Sequence, residues 1–178
     1  MKLDIPYYSQ HRDIEDEYWQ KRACGLVCLK MILDYSGKEN VGLKELLKLA
    51  LRRDVFGENG WVHSGLIALA KGFDVDLIRK EFRSKNKEEE EKLRRKGLAK
   101  LIQSLQNKKP VIVSVVKRFK FSDRFHQVVL NGFEKEGGIV GGFYYNDSDY
   151  QSEEEGKNVF VDLETFEKYW RGLAIFIV

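Results

Sequence analysis

The sequence has few cysteines, little net charge and no long apolar run, and each shortage excludes a class of protein. Two cysteines are too few for a disulfide framework, which favours free thiols in the reducing cytoplasm. A net charge of +3, from 31 basic and 28 acidic residues, gives no reason to expect a nucleic acid or an anionic membrane as a partner. No apolar run approaches the roughly 20 residues that span a bilayer, and the opening MKLDIPYYSQ lacks the apolar core of a secretory signal. We therefore expect a cytoplasmic protein with no membrane span.

Signatures of metal and nucleotide binding are also missing. Cys28 follows Cys24 on one helix face, and with no further thiol in the chain we expect no metal site and predict that Cys28 fills the core. The glycine-rich stretches GENG and GGIVGG match no phosphate-binding motif. We expect no cofactor.

The length of 178 residues suggests one domain, residues 1–178, that can bury roughly 70% of its unfolded surface. Residues 1–23 are predicted to form an extended entry loop and residues 55–63 a second loop, and helices are predicted in the rest of the first half. Residues 24–35 are apolar nearly all round, which is typical of a buried helix, and leucines recur at helical spacing over 43–53. A third, short helix is predicted over 64–73, with Ser64 as its N-cap.

A charged segment at 79–97 follows, and its role stays open. Its later part, RSKNKEEEEKLRRKG, places glutamates four residues before lysines or arginines, which indicates a solvated helix. An amphipathic pattern over 97–107 continues that helix.

After Pro110 the pattern becomes that of a sheet. A strand is predicted earlier, over 75–82, and a short helix over 164–170. Five further β-type runs, separated by turn formers, lie at 111–116, 126–134, 137–147, 158–163 and 172–178. Helices followed by a mostly antiparallel sheet predict an α+β fold, with a cleft between the halves as the natural place for a site.

Cys24 stands where that buried first helix begins. A thiol at a helix N-terminus meets unpaired N–H groups and the positive end of the helix dipole, and both favour the nucleophilic thiolate. Gly25 allows a substrate or another backbone to approach closely. The alternative is a structural cysteine, because free cysteines are among the most buried residues.

A nucleophilic thiol needs a base and a group that orients the base. Of the three histidines, His126 opens a predicted strand, where the edge of a sheet would hold its ring beside the helix. A hairpin formed by 126–134 and 137–147 would return Asp147 to the side of His126. Asp149 is the rival, because residues two apart share a face of a strand.

Six stretches in this order resemble the papain-like cysteine peptidase family thirty-nine over nearly the whole chain. They are LDIPYYSQ, ACGLVCLKMIL, GWVHSGLIALA, KPVIVSVV, FHQVVLNGF and YYND. That family includes the leader-removing domains of bacteriocin exporters and many stand-alone relatives. The resemblance implies a papain-like cysteine proteinase fold, with Cys24 as nucleophile, His126 as general base, Asp147 as its orienting acid and Gln10 in the oxyanion hole.

The sequence departs from the family pattern in three places. Gln10 lies fourteen residues before Cys24 rather than about six, which makes Gln20 a competitor for the oxyanion hole. Ser148 replaces the usual proline after Asp147. No ATP-binding or membrane domain follows, so we do not expect cleavage coupled to export.

These features predict a cysteine peptidase or amidase that acts on a peptide or protein through a thioester. A papain-like acyltransferase is a close variant of that function. A catalytically silent papain-fold module that binds a peptide or a protein is the alternative from another class. The sequence indicates neither the natural substrate nor the oligomeric state.

Overall fold

The structure is a computed structural model that describes residues 1–38, 41–122 and 124–178. The first half of the chain is mostly helical, with the elements α1 (Glu17–Gln20), α2 (Cys24–Tyr35), α3 (Leu43–Arg52), β1 (Phe56–Gly57), β2 (Gly60–Trp61), α4 (His63–Lys71) and β3 (Leu77–Glu81). The second half alternates helices and strands, with α5 (Lys87–Gln106), β4 (Val111–Val116), a 3-10 turn (Lys117–Phe119), β5 (Phe125–Glu136), β6 (Ile139–Asn146), α6 (Glu153–Gly156), β7 (Val159–Asp162), α7 (Leu163–Tyr169) and β8 (Trp170–Ile177).

Six strands form one antiparallel sheet in the order β3-β8-β4-β5-β6-β7. The central strand β4 is the apolar run VIVSVV, and nearly all of it is buried. Helices α2 and α5 pack against β5, and α7 packs against β6. This arrangement of helices on a mostly antiparallel sheet confirms the predicted α+β architecture.

Helix α2 is buried along most of its length, as its apolar composition predicts. The burial includes two charged residues, Lys30 and Asp34, which lie one turn apart and form an ion pair within the helix. Because the pair neutralises its own charge, the helix can insert between the sheet and the other helices. Its N-terminal end therefore has a fixed position against β5.

Residues 87–97 of the charged segment form the solvated start of α5, as predicted, whereas residues 79–81 belong to β3. Ion pairs one turn apart join Lys92 to Glu88 at 3.3 Å and Arg94 to Glu90 at 3.8 Å. The later half of the helix turns its apolar face inward, and Leu101 and Leu105 are fully buried.

Two local predictions were wrong. Helix α4 begins at His63, one residue before Ser64, because the carbonyl of Val62 already accepts the N–H of Leu66 and Val62 takes the N-cap position. The loop before it contains the β1–β2 hairpin, whose two-residue strands are too short to leave a periodic pattern.

Helix α1 lies within the predicted entry loop and is capped by the side chain of Asp16. Within the described ranges, no helix combines the length and the apolar character needed to cross a membrane.

Candidate active site

Cys24 is the first residue of α2, and its side chain is partly exposed. The N-cap, Ala23, has no side-chain oxygen to offer, so the free N–H groups of the first turn keep their positive potential for the thiol. The next residue, Gly25, packs closely against Gln127 and Trp61. A β-carbon there would lie 2.6 Å from Gln127 Oε1 and 3.0 Å from Trp61 Cδ1. The close approach of the helix start to the sheet therefore depends on glycine.

His126 is the second residue of β5 and is buried. Its partner in the register is Val115, so the ring projects from a part of the strand that is paired with β4. The ring Nε2 lies 2.6 Å from Asp147 Oδ1. This contact leaves Nδ1 as the ring nitrogen that can face the thiol.

Asp147 follows the last residue of β6 and is fully buried. Its backbone N–H donates to the carbonyl of Gly156 at 2.8 Å, and its own carbonyl accepts the hydroxyl of Tyr7 at 3.0 Å. Its Oδ2 has no hydrogen-bond partner in the described part of the chain. The predicted β5–β6 hairpin thus returns Asp147 to His126.

The pKa values of the thiol and the ring are displaced in opposite directions. Burial would raise the pKa of the Cys24 thiol, but the charge of His126, a hydrogen bond to its ring and the backbone N–H groups of Gln127 and Gly25 lower it overall. Burial would lower the pKa of His126, but the charges of Asp147 and Cys24 and hydrogen bonds to both raise it well above its ordinary value. Both displacements act in the direction of a thiolate–imidazolium ion pair.

Asp149, the rival acid, has a different environment. Its carboxylate accepts hydrogen bonds from His11 Nε2 at 3.1 Å, Lys117 Nζ at 2.9 Å and Arg118 Nε at 3.3 Å. Burial would raise its pKa, but the hydrogen bond and charge of Lys117, the charge of His126 and the hydrogen bond to His11 lower it. Asp149 thus holds the turn after β6 to the segment that follows β4.

The two candidate glutamines lie apart from each other. Gln10 is buried, donates its side-chain amide to Asp149 Oδ1 at 3.2 Å and accepts the hydroxyl of Ser148 at 3.0 Å. Gln20 donates its side-chain amide to the carbonyl of Ile14 at 2.8 Å. Gln10 is therefore tied to the turn that carries Asp147, whereas Gln20 stabilises the entry segment.

Sequence reasoning missed two residues beside the thiol. The backbone N–H of Gln127 faces the sulfur, and its carboxamide meets His63 Nε2 at 2.6 Å. His63 in turn accepts a hydrogen bond from Arg79 Nε at 3.1 Å. The position of Gln127 next to His126 was the one signal available, since the contact with His63 depends on how α4 packs on the sheet.

Cys28 lies one turn after Cys24 and is fully buried, as predicted. Its thiol donates to the carbonyl of Gln127 at 3.3 Å, and burial raises its pKa well above the ordinary value. It is therefore a protonated structural cysteine. Among the described residues, no group of three or more His, Cys, Asp or Glu side chains is arranged to hold a metal ion.

A cavity of about 340 Å³ opens beside the thiol. Its lining includes Cys24 and His126, together with Arg22, Trp61, His63, Phe125 and Arg171. A second cavity, of about 260 Å³, lies between the entry segment and α3 and contains no nucleophile. The first cavity is therefore the candidate substrate cleft.

Comparisons with known proteins agree with this fold. A C39-like peptidase from Bacillus anthracis, so described, is 19% identical with a TM-score of 0.67, covering 100% of this chain and 98% of its own. A double glycine motif protease from an AMS/PCAT transporter, solved with a leader peptide, is 18% identical with a TM-score of 0.60, covering 99% and 93%. The peptidase domain of Streptococcus ComA is 20% identical with a TM-score of 0.60, covering 89% and 92%.

No curated protein sequence matches the chain significantly. The solved relatives establish the papain-like fold of these peptidases, in agreement with the architecture described above. The Peptidase_C39 like family model matches residues 2–174, which is nearly the whole chain. The chain therefore belongs to the Peptidase_C39 like family, which supports its assignment as a papain-like cysteine peptidase.

Proposed function

We propose that the protein cleaves a peptide or amide bond through a Cys24–His126–Asp147 triad and a thioester intermediate. The observation that carries the proposal is the position of His126, whose Nε2 lies 2.6 Å from Asp147 Oδ1 and whose ring lines the same cavity as Cys24, where each of the two groups shifts the pKa of the other. A peptide substrate is supported by the solved relative that holds a leader peptide. The reaction requires no cofactor.

The first half of the reaction forms the thioester. The Cys24 thiolate attacks the carbonyl carbon, and the backbone N–H of Cys24 stabilises the developing oxyanion, with Gln10 as the candidate second donor. The imidazolium of His126 then gives its proton to the leaving nitrogen as the C–N bond breaks. Asp147 holds the ring in position and stabilises its positive charge.

The second half of the reaction releases the acid product. Neutral His126 accepts a proton from water, and the resulting hydroxide attacks the thioester carbonyl. The C–S bond breaks, the product leaves as a carboxylic acid, and the thiolate–imidazolium pair re-forms. An amine in place of water would give the acyltransferase variant.

The pH dependence of Cys24 alkylation by iodoacetamide tests the proposal without a known substrate. We expect the wild-type thiol to react as a thiolate well below pH 7, as the thiols of other Cys–His ion pairs do, and the lowered pKa of Cys24 agrees with this direction. In His126→Ala the reaction should follow an ordinary thiol with a pKa of about 8.5, or a higher one because burial remains. Cys28→Ala should react like the wild type, since that thiol is buried and protonated.

A silent binding module would give a different profile. Its Cys24 would titrate as an ordinary thiol, and His126→Ala would leave the profile unchanged. A peptide-library digest read by mass spectrometry then tests turnover, with Cys24→Ala as the inactive control. The absence of any cleavage by a protein with a low-pKa thiol would contradict the peptidase proposal.

A further inference from the structure

Arg171 is a charged residue in the candidate cleft that the proposed mechanism does not use. It lies near the start of β8, where the pairing of β8 with β4 shifts register between Ser114 and Val115. Its guanidinium stands 3.4 Å from the ring centroid of Phe125 and donates to Ser114 Oγ at 3.3 Å. Ser114 and Phe125 line the same cavity as Cys24, so the guanidinium is held in a fixed orientation at the cleft.

No carboxylate of the described chain lies within ion-pair distance of Arg171. Two neighbouring arginines do have such a partner, because Arg79 and Arg83 both bind Glu81, at 2.5 and 3.0 Å. Burial, together with the positive charge of Arg83, lowers the pKa of Arg171. A half-buried cation without a counter-ion gains from any anion that enters the cleft.

The other titratable groups of the cleft leave it open to an anion. Arg22 is a second cation, held over the ring of Tyr18 at 3.9 Å. His63 is kept neutral because burial and the charge of Arg79 lower its pKa. Glu58 is the one acidic side chain among the lining residues, and it is exposed to solvent.

Building on the proposed peptidase function, we propose that Arg171 determines specificity by binding a carboxylate of the substrate. The preferred substrate is then an acidic peptide, cleaved close to an aspartate, a glutamate or its own C-terminal carboxylate. The guanidinium suits this role because its planar fork offers several N–H donors, and one contact with Ser114 leaves the others free. Stacking on Phe125 fixes the fork before substrate arrives.

A charge-sensitive alkylation experiment tests the cation without a known substrate. Iodoacetate and iodoacetamide both lose iodide to the thiolate, but only iodoacetate carries a negative charge. The rate of Cys24 alkylation by iodoacetate divided by its rate with iodoacetamide therefore increases with positive charge in the cleft. We expect Arg171→Gln to lower this ratio about two- to fivefold, the upper part of the range for a solvated ion pair.

Two further variants separate charge in the cleft from other effects. Arg171→Lys should keep a ratio near that of the wild type, because the charge stays. Arg95→Gln makes the same change of net charge on the exposed face of α5, outside the cleft, and should leave the ratio unchanged. An unchanged ratio in Arg171→Gln, or an equal fall in Arg95→Gln, overturns the proposal.

Matched peptides test the substrate class directly. Pairs that differ by Glu against Gln near the scissile bond examine side-chain carboxylates, and pairs with a free or amidated C-terminus examine the terminal carboxylate. We expect kcat/KM to favour one acidic member about tenfold in the wild type and to lose that preference in Arg171→Gln. Equal cleavage of acidic and neutral peptides by the wild type overturns the assignment.

The two proposals can fail separately. If Cys24 reacts only as an ordinary thiol, the peptidase proposal fails, while the ratio of the two reagents still reports on Arg171. If Cys24 reacts as a low-pKa thiolate but the ratio of the iodoacetate and iodoacetamide rates is unchanged in Arg171→Gln, only the specificity proposal fails.

Discussion

The backbone N–H of Asp149 donates to Asp147 Oδ1 at 2.9 Å, and this is the same oxygen that contacts His126. The two acids of the turn after β6 therefore have separate tasks. Asp147 meets the ring, while the carboxylate of Asp149 is bound by cations from the segment that follows β4. The geometry of the candidate site thus depends on a charge cluster that does not contact the thiol.

Asp149→Asn should destabilise the fold by about 2 kcal/mol, because a buried carboxylate that accepts several charged hydrogen bonds is replaced by a neutral amide. The loss stays modest because Lys117 and Arg118 remain partly exposed to water. Urea unfolding at neutral pH measures the change.

The pH dependence of this effect follows from the lowered pKa of Asp149, whose ordinary value is 3.8. Stability from a group with a depressed pKa is present above the unfolded value and is lost as pH falls through the folded value. The difference between wild type and variant should therefore vanish in acid. Glu15→Gln, which breaks an exposed pair with Lys44, is the matched control and should leave the unfolding midpoint nearly unchanged.

Asp147→Asn should lower kcat about ten- to hundredfold and move the alkaline limb of the pH–rate profile to lower pH. The amide oxygen can still accept the His126 N–H, so the ring keeps its orientation. The negative charge that helps to raise the pKa of His126 is lost. The imidazolium proton then dissociates at lower pH. The His126 imidazolium that protonates the leaving amine is therefore lost at a lower pH than in the wild type.

The measurement is kcat/KM against pH with any peptide that the library digest identifies. Asp76→Asn removes an equal charge from an exposed pair with Lys71 and should leave the profile in place. An alkaline limb at the wild-type pH in Asp147→Asn would show that the pKa of His126 does not depend on this carboxylate.

The sequence was sufficient for elements with a strong pattern. The apolar run of α2 and the charge pairs of α5 were predictable because each extends over several helical turns, and the five later strands because they are β-type runs bounded by turn formers. The hairpin predicted that Asp147 or its rival Asp149 returns to His126, and the family resemblance implied Asp147 and joined this pair to Cys24. The β1–β2 hairpin was missed because its strands contain two residues each.

Contacts that depend on tertiary packing could not be predicted from the sequence pattern. The hydrogen bond between Gln127 and His63 requires α4 to lie across the end of β5. The binding of Asp149 by Lys117 and Arg118 requires the segment after β4 to reach the turn after β6. Neither relation has a sequence spacing that distinguishes it from chance.

Gly25→Ala should destabilise the protein by about 1–3 kcal/mol and slow the alkylation of Cys24. Alanine is normally the better helix former by about 1 kcal/mol. Here its β-carbon would lie 2.6 Å from Gln127 Oε1, so the start of α2 must move away from β5. Thermal unfolding and the iodoacetamide rate report the two effects.

Gly141→Ala is the matched control, because its added β-carbon would meet nothing closer than Glu134 Oε2 at 4.0 Å. It should leave the iodoacetamide rate as in the wild type. A Gly25→Ala protein with wild-type stability and reactivity would mean that the helix start tolerates a side chain.

Gln10→Ala should lower kcat about a hundredfold or more if its amide is an oxyanion donor, while Gln20→Ala should not. Both side-chain amides have an acceptor, Asp149 Oδ1 for Gln10 and the carbonyl of Ile14 for Gln20, but only Gln10 is tied to the turn that carries Asp147. An oxyanion donor acts only on the transition state, so KM and the pH profile of iodoacetamide alkylation should stay unchanged in Gln10→Ala. A purely structural Gln10 would instead displace the turn, which would change the alkylation profile together with kcat. A loss of kcat in Gln20→Ala alone would transfer the role to Gln20.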